Sequence, residues 1–348
     1  MSGLDLSLPE PLGRGKPSAA TRAAYEARVA AWCERLLEFK LRIDFDPGAR
    51  GWCYIMEECG LTKGDFDRAE KLITACRKDG NLPIDFCGED DNARDFSHIE
   101  SLDDDDPAMD AHRVVDYVRT AHRHYCPVSF WDFQECYVQM LVEKIGLRNL
   151  FDPVCAEYRV PLGNSRGSWS IWQRVRLLAR FGERQQRDNR CVLLYCGDHD
   201  AHGIRISRSL RSNLEDVLPA FKRQFPEHER FDLDEVEIER FGLNAGFIER
   251  HGLTWTNGLI TASGKDLGDP AHRKNGDHDV QAYIREFGER KVEADALVTR
   301  PQAGRDLCRE AILRYVDQDG IGRYARAVLE HQQAMRAELD RLLNGGAA

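Results

Sequence analysis

The sequence has no apolar run near the length of about 20 residues that a membrane-crossing helix needs, so no membrane partner is expected. Its start, Met1-Ser-Gly-Leu-Asp-Leu6, lacks the basic-then-apolar order of a signal peptide. The eleven cysteines include no Cys-x-x-Cys pair and no metal-ligand spacing. That excludes a recognisable zinc module and a disulfide framework, and it predicts reduced thiols, several of them buried as small hydrophobes in a cytoplasmic protein. No Gly-x-x-x-x-Gly-Lys phosphate loop occurs, so any energy-coupled step would need a separate ATPase subunit. No internal repeat is found.

What is there describes an ordinary folded chain. Its 348 residues, 42% hydrophobic and 31% charged, suffice for two domains and a sizeable core. The net charge of −10 is opposite to the basic footprint of a nucleic-acid binder, but its distribution matters more than its sum. Residues 88–110 hold ten acids against the single base Arg94, nine of the ten net negative charges. Residues 166–190 hold seven arginines (166, 174, 176, 180, 184, 187 and 190) against Glu183 and Asp188. A charge run of the first kind is usually a solvated loop or linker; the second is a candidate basic surface.

Two strand-and-acid units organise the middle of the chain. Cys191-Val-Leu-Leu-Tyr-Cys196 is a short apolar run between turn signals, the pattern of an interior strand of a parallel sheet. Asp198 and Asp200 follow where that strand ends, and a helix pattern follows them. Ligands of open α/β sheets bind beyond the carboxyl ends of strands, and two carboxylates this close call for a divalent cation. An Asp-rich turn capping the next helix has the same local pattern. Upstream, Cys136-Tyr-Val-Gln-Met-Leu-Val142 reads as a second strand ending in Glu143, again followed by a helix pattern. Further on, Lys291 to Leu297 puts Glu293 and Asp295 on one face if extended, either a third acidic element or a solvated edge strand.

Before these units, residues 1–17 read as an arm, and Ala19 to about Ile43 as a helix capped by Ser18. Two helical patterns, 50–60 and 65–78, are joined by a Gly-containing turn, with Asn81 to Phe86 as a candidate wing strand. On the second helix Arg68, Lys71, Arg77 and Lys78 point away from the apolar face, as in a helix that enters the major groove. An ordinary amphipathic helix shares that pattern. Tyr158 to Leu162 reads as a short strand, and Gly203 to Phe225 as a helix interrupted near Pro219, with Arg205, Arg208 and Arg211 near its start. Glu235 to Glu239 alternates as a strand, and helices at 304–316 and 321–343 close the chain.

The ordered Glu143, Asp198 and Asp200, and above all Gly197-Asp-His-Asp-Ala-His-Gly203, resemble the Toprim catalytic domain. The likeness is to the topoisomerase VI A subunit and the meiotic double-strand-break transesterases. It covers roughly residues 46–240, and Leu61-Thr-Lys-Gly-Asp-Phe-Asp with Cys76-Arg-Lys-Asp-Gly-Asn-Leu-Pro is similar to prokaryotic and phage proteins of that plan. The resemblance implies an α/β fold, an N-terminal helical winged-helix domain followed by a Toprim domain with a mainly parallel sheet. The expected divisions are an arm and helix (1–45), a winged helix (46–87), an acidic linker and helix (88–130), a Toprim domain (131–300) and C-terminal helices (301–348). It implies Mg²⁺ on Glu143, Asp198 and Asp200, double-stranded DNA as partner, a homodimer with a site shared between chains, and a nucleoid-associated location. It also implies a nucleophilic tyrosine in an Arg-x-x-x-Tyr motif. Here Arg50-Gly-Trp-Cys-Tyr54 supplies the outer residues, with Cys53 where the family has an aromatic.

Arg50 and Tyr54 are i and i+4 on one helix face, and a phenol with a pKa near 10 needs a cation or base beside it to attack at neutral pH. Three functions therefore stand open. They are Mg²⁺-dependent DNA cleavage through Tyr54, hydrolysis by a metal-bound water with Tyr54 structural, and DNA binding without catalysis.

Overall fold

In the computed structural model the described residues are 5–13, 15–83, 85–88, 106–165, 170–201, 203, 206–260 and 266–344, with backbone alone at 206–208 and 344. The first helix, α1 (Ala19–Lys40), starts where Ser18 Oγ accepts the Thr21 N–H at 3.1 Å. The helix pair follows as α2 (Ala49–Glu57) and α3 (Phe66–Lys78). The turn between them passes through Gly60 at φ +96°, a conformation that glycine adopts without strain. No strand forms at the described residues of 81–86, which correct the expected wing. Pro83 has no N–H for a ladder, Lys40 Nζ takes the Phe86 carbonyl at 3.1 Å, and the Phe86 ring turns inward to stack on Trp52 at 4.5 Å. Asp106 then caps α4 (Pro107–Thr120), which buries no side chain.

The second half is built on a parallel sheet. The chain runs β1 (Cys136–Val142), α5 (Ile145–Glu157), β2 (Leu162–Asn164), α6 (Ile171–Gln185) and β3 (Arg190–Cys196). It continues through α7 (Ile206–Glu215), α8 (Leu218–Gln224), β4 (Val236–Arg240) and α9 (Ala245–His251). The strand order is β2-β1-β3-β4, every pair parallel. β1 is buried along its whole length and β3 everywhere but Arg190, as strands covered on both faces must be. Met140 faces the thiols of Cys155 and Cys308 on one side, while Gln139 Nε2 donates to Leu177 O of α6 on the other. β2 starts at Leu162 and not Tyr158, because α5 runs on to Glu157 and the chain turns through Arg159 at φ +55°.

A two-stranded antiparallel pair, β5 (Thr256–Asn257) and β6 (Arg290–Lys291), flanks α10 (His278–Phe287). Val292 bridges His199, and then the backbone leaves the extended form for a 3₁₀ segment, Ala294–Thr299. Glu293 and Asp295 are therefore not alternate residues of a strand, as the sequence pattern allowed. α11 (Pro301–Leu313) and α12 (Gln318–Asn344) close the chain. One apolar core joins the helices of the first half to the sheet, from Trp32 and Trp52 through Leu141 to Leu297. None of the eleven cysteines forms a disulfide, and nine of them are buried. Among the described residues no helix is long and apolar enough to cross a membrane.

Candidate metal centre

The sheet order decides where chemistry belongs. From β1 the chain crosses outward to β2, whereas β3 lies on the other side of β1 and leads outward to β4. The crevice between the carboxyl ends of β1 and β3 is thus the topological switch point, where ligands of open α/β sheets bind. Val142 is in register with Cys196, and the Glu143 N–H donates to the Cys196 carbonyl at 3.0 Å, so Glu143 stands directly opposite Gly197. A Cβ at Gly197 would lie 2.7 Å from Glu143 Oε2 and also strike the Tyr195 hydroxyl. Only glycine leaves room for this carboxylate.

Glu143 Oε2 accepts from the Asp198 N–H and the Tyr195 hydroxyl, each at 3.1 Å. Its Oε1 makes no hydrogen bond among the described residues. Asp198 is buried; its Oδ1 accepts the Ala294 N–H at 2.8 Å and its Oδ2 meets Lys144 Nζ at 3.3 Å. Burial, then repulsion from Glu143, pushes the Asp198 carboxyl up to about 7. Arg240 Nη2 fixes the loop by donating to the Asp198 carbonyl at 3.0 Å. Asp200 sits at the rim, its Oδ1 accepting the Gly203 N–H at 2.5 Å. Between the aspartates, His199 points away into Trp255, Tyr283 and Phe287, and burial lowers its pKa to about 4, so it is neutral.

The 3₁₀ segment completes the group. Asp295 is buried, its Oδ1 has no hydrogen-bond partner among the described residues, and a Cβ at Gly146 would lie 2.6 Å from that oxygen. Burial lifts Asp295 to about 6. Burial would lower the Lys144 ammonium, but Asp198, Glu143, Asp295 and Glu293 outweigh it and hold the group firmly protonated. Lys144 thus acts on four carboxylates, one of which, Glu293, also pairs with Lys291 Nζ at 3.5 Å. Among the described residues no three potential ligands stand ready to hold a metal ion; in this arrangement both oxygens of Asp198 are turned to Lys144 and Ala294. The donor chemistry nevertheless fits Mg²⁺: an all-oxygen set, excess negative charge, and a buried carboxylate oxygen without a partner.

Tyr54 reaches the same group from α2. It is fully buried, its hydroxyl donates to Glu293 Oε2, and Lys63 Nζ lies 4.2 Å from its ring centre. Burial, and next the Glu293 charge, raises the phenol well above its usual range, so it keeps its proton. Burial would raise Glu293 too, but the Tyr54 bond with Lys291, Lys144 and Arg50 brings it below the usual carboxylate range. Arg50, four residues before Tyr54, turns to α3: Nη1 is 3.1 Å from Glu70 and the guanidinium lies over the Phe66 ring.

On α3, Lys71 and Lys78 are exposed and line an open groove with Asp67, Glu70 and Thr74. Arg68 is half-buried and paired with Asp65 at 3.2 Å, and Arg77 is half-buried as well. Arg205 and the side chain of Arg208 lie outside the described residues, as does most of the acidic stretch, 89–105. The structure thus brings together Glu143, Asp198, Glu293, Asp295 and Tyr54. Sequence reasoning passed over the roles of Lys144 and Tyr195 and took Gly197 only as part of a motif, although each is adjacent or near-adjacent to a flagged acid. No family model, curated protein or solved structure matches the chain.

Proposed function

We propose that the chain is a Toprim-type, Mg²⁺-dependent nuclease that hydrolyses DNA phosphodiesters, with Glu143, Asp198 and Asp200 as metal ligands. The observation that carries this reading is the carboxylate cluster at the switch point, where Glu143, Asp198, Glu293 and Asp295 all act on the Lys144 ammonium and Lys291 is a further cation on Glu293. When bound, Mg²⁺ would supply charge neutralisation at the phosphate and activation of a water. The chain's own residues do the rest. Tyr195 and the Asp198 N–H orient Glu143, Arg240 holds the Asp198 loop, and Lys144 provides a cation beside the site for the phosphodiester's charge. Tyr54, buried and protonated, positions Glu293. The α2–α3 pair with Lys71 and Lys78 supplies a second contact to DNA in the manner of a helix-turn-helix.

One observation favours a second reading, transesterification by Tyr54: its hydroxyl already donates to a carboxylate, the arrangement of a nucleophile beside a general base. That route requires α2 to lift from the 3₁₀ segment so that DNA can reach the phenol. Incubation with supercoiled plasmid and Mg²⁺, with and without protease before electrophoresis, separates the two. Protein-free ends and a cleaving Tyr54→Phe variant establish hydrolysis. A protease-sensitive adduct that disappears in Tyr54→Phe establishes transesterification. Cleavage undiminished in both Glu143→Gln and Asp198→Asn would overturn both readings.

A further inference from the structure

A cleft of about 380 Å³ opens between α6 and the β1–β2 edge, lined by Gln139, Asn164, Gln173, Arg176 and Arg180 among others. Its two arginines stand apart from their neighbours. Arg184 and Arg187 are paired with Asp132, and Arg190 with Glu135 and Glu237. Among the described residues neither Arg176 nor Arg180 forms an ion pair with a carboxylate. Arg180 is half-buried, and its Nε donates to the buried Gln139 Oε1 at 2.7 Å, which fixes the side chain. Arg176, one turn earlier on the same helix face, lies 5.9 Å from the ring centre of exposed Trp172. Burial lowers the Arg180 pKa, the neighbouring Tyr137 hydroxyl offsets part of that, and the Arg176 charge adds to it, a condition that an incoming anion relieves. Two adjoining positive charges in a cleft without a carboxylate counter-ion among the described residues make an anion site, and planar guanidiniums match phosphate oxygens in pairs.

The place of the cleft says which phosphate. Along β1, Gln139, Leu141 and Glu143 alternate onto one face, so the cleft and the metal-centre acid share that face. Their separation is about 13 Å along the strand, the rise of about four nucleotides in duplex DNA. We propose that Arg176 and Arg180 bind two successive backbone phosphates of the substrate strand, one each, several nucleotides from the bond to be cut, and so set the register of DNA on the metal centre. The inference rests on the nuclease reading for its substrate.

Its test is independent of cleavage. Binding of a short fluorescein-labelled DNA duplex is measured by anisotropy in EDTA across a salt titration. Each phosphate contact adds about 0.9 to the slope of log K against log salt. Arg176→Gln and Arg180→Gln should each lower that slope by about one and weaken binding about three- to tenfold at low salt. Arg180→Lys should keep the slope and bind more weakly than wild type. Arg187→Gln, which removes a charge already paired with Asp132, should change neither. Because Arg180 holds Gln139, Arg176→Gln, at an exposed position, is the decisive variant for a loss due to contact and not to folding. An unchanged slope in Arg176→Gln, an equal loss in Arg187→Gln, or a 5′-mononucleotide that binds as tightly as the duplex would each overturn the proposal. Failure of the nuclease reading would appear separately, as wild type that binds DNA but never cleaves it with Mg²⁺.

Discussion

At the scale of the residue, Asp198 and Asp295 carry the cost of the site. Each is a carboxyl held at about 7 or about 6 by burial, so the folded chain binds these protons more tightly than the unfolded chain does. Between about pH 4 and pH 7 the folded state is therefore the more protonated, and stability falls as pH rises, levelling off above about pH 7. At about 1.4 kcal/mol per pKa unit, shifts of this size weigh on the order of several kcal/mol across that window. His199 acts oppositely, because its lowered pKa makes folding weaker as pH drops below about 6.5. The expected outcome is thus a difference. In EDTA the melting temperature of the Asp198→Asn/Asp295→Asn double variant should exceed wild type at pH 8, and the gap should shrink or vanish at pH 5. Adding Mg²⁺ should raise the melting temperature of wild type more at pH 8 than at pH 5, since the metal takes the deprotonated carboxylates, and should leave the double variant nearly unmoved. An equal gap at both pH values would remove these two carboxyls from the argument. Tyr54→Phe adds a second residue-level expectation. Losing the hydroxyl leaves Glu293 short of a buried donor, a loss of roughly 1–3 kcal/mol readable in urea unfolding.

Among the elements, the two strand-and-acid units were legible because their signals are local. A run of buried apolar residues ended in an acid, and a helix followed, for β1–Glu143–α5 as for β3–Asp198. What sequence did not reveal depended on contacts between distant segments. The turn of Glu293 and Asp295 into a 3₁₀ segment follows from the Ala294 N–H meeting Asp198, 96 positions away. The absence of a strand among the described residues of 81–86 follows from Lys40 and Trp52 capturing Phe86. Gly197 was legible only as the start of a motif, because the reason it must be glycine, an opposed carboxylate in the next strand, exists only once β1 and β3 are in register. This makes a prediction. Gly197→Ala should displace Glu143 or Tyr195, cost about 1–3 kcal/mol as overpacking does, and abolish Mg²⁺-dependent cleavage. Gly64→Ala, at an exposed turn position whose nearest neighbour would be 3.8 Å away, should do neither. Full cleavage by Gly197→Ala would mean the crevice is not the active centre.

Over the whole molecule, the question is whether the site needs a second chain. The resemblance implied a homodimer in which the tyrosine of one protomer meets the metal acids of its partner. In this structure Tyr54 of α2 meets Glu293 of its own chain, and α2 is packed against the 3₁₀ segment that carries Asp295. Trp52, Ile55 and Met56 are buried in the same core as Leu297 and Val298, so the helix is tied to the site by apolar packing as well as by one hydrogen bond. Glu143, Asp198, Glu293, Asp295 and Tyr54 are thereby all supplied in one chain. Two consequences can be measured. Specific cleavage activity should stay constant as protein is diluted through any dimer dissociation detected by sedimentation. Where Tyr54→Phe is inactive alone, its mixture with inactive Asp198→Asn should remain inactive after subunit exchange has been demonstrated with differently labelled chains, because each crevice then lacks one of its own two groups. In a site shared across a dimer the same mixture assembles one crevice with the tyrosine and the acid both intact, and nicking of a single strand returns. Recovered nicking, or activity that falls with the square of concentration, would replace the single-chain site by the shared one. The buried Tyr54 would then mark a resting state from which α2 must exchange between protomers.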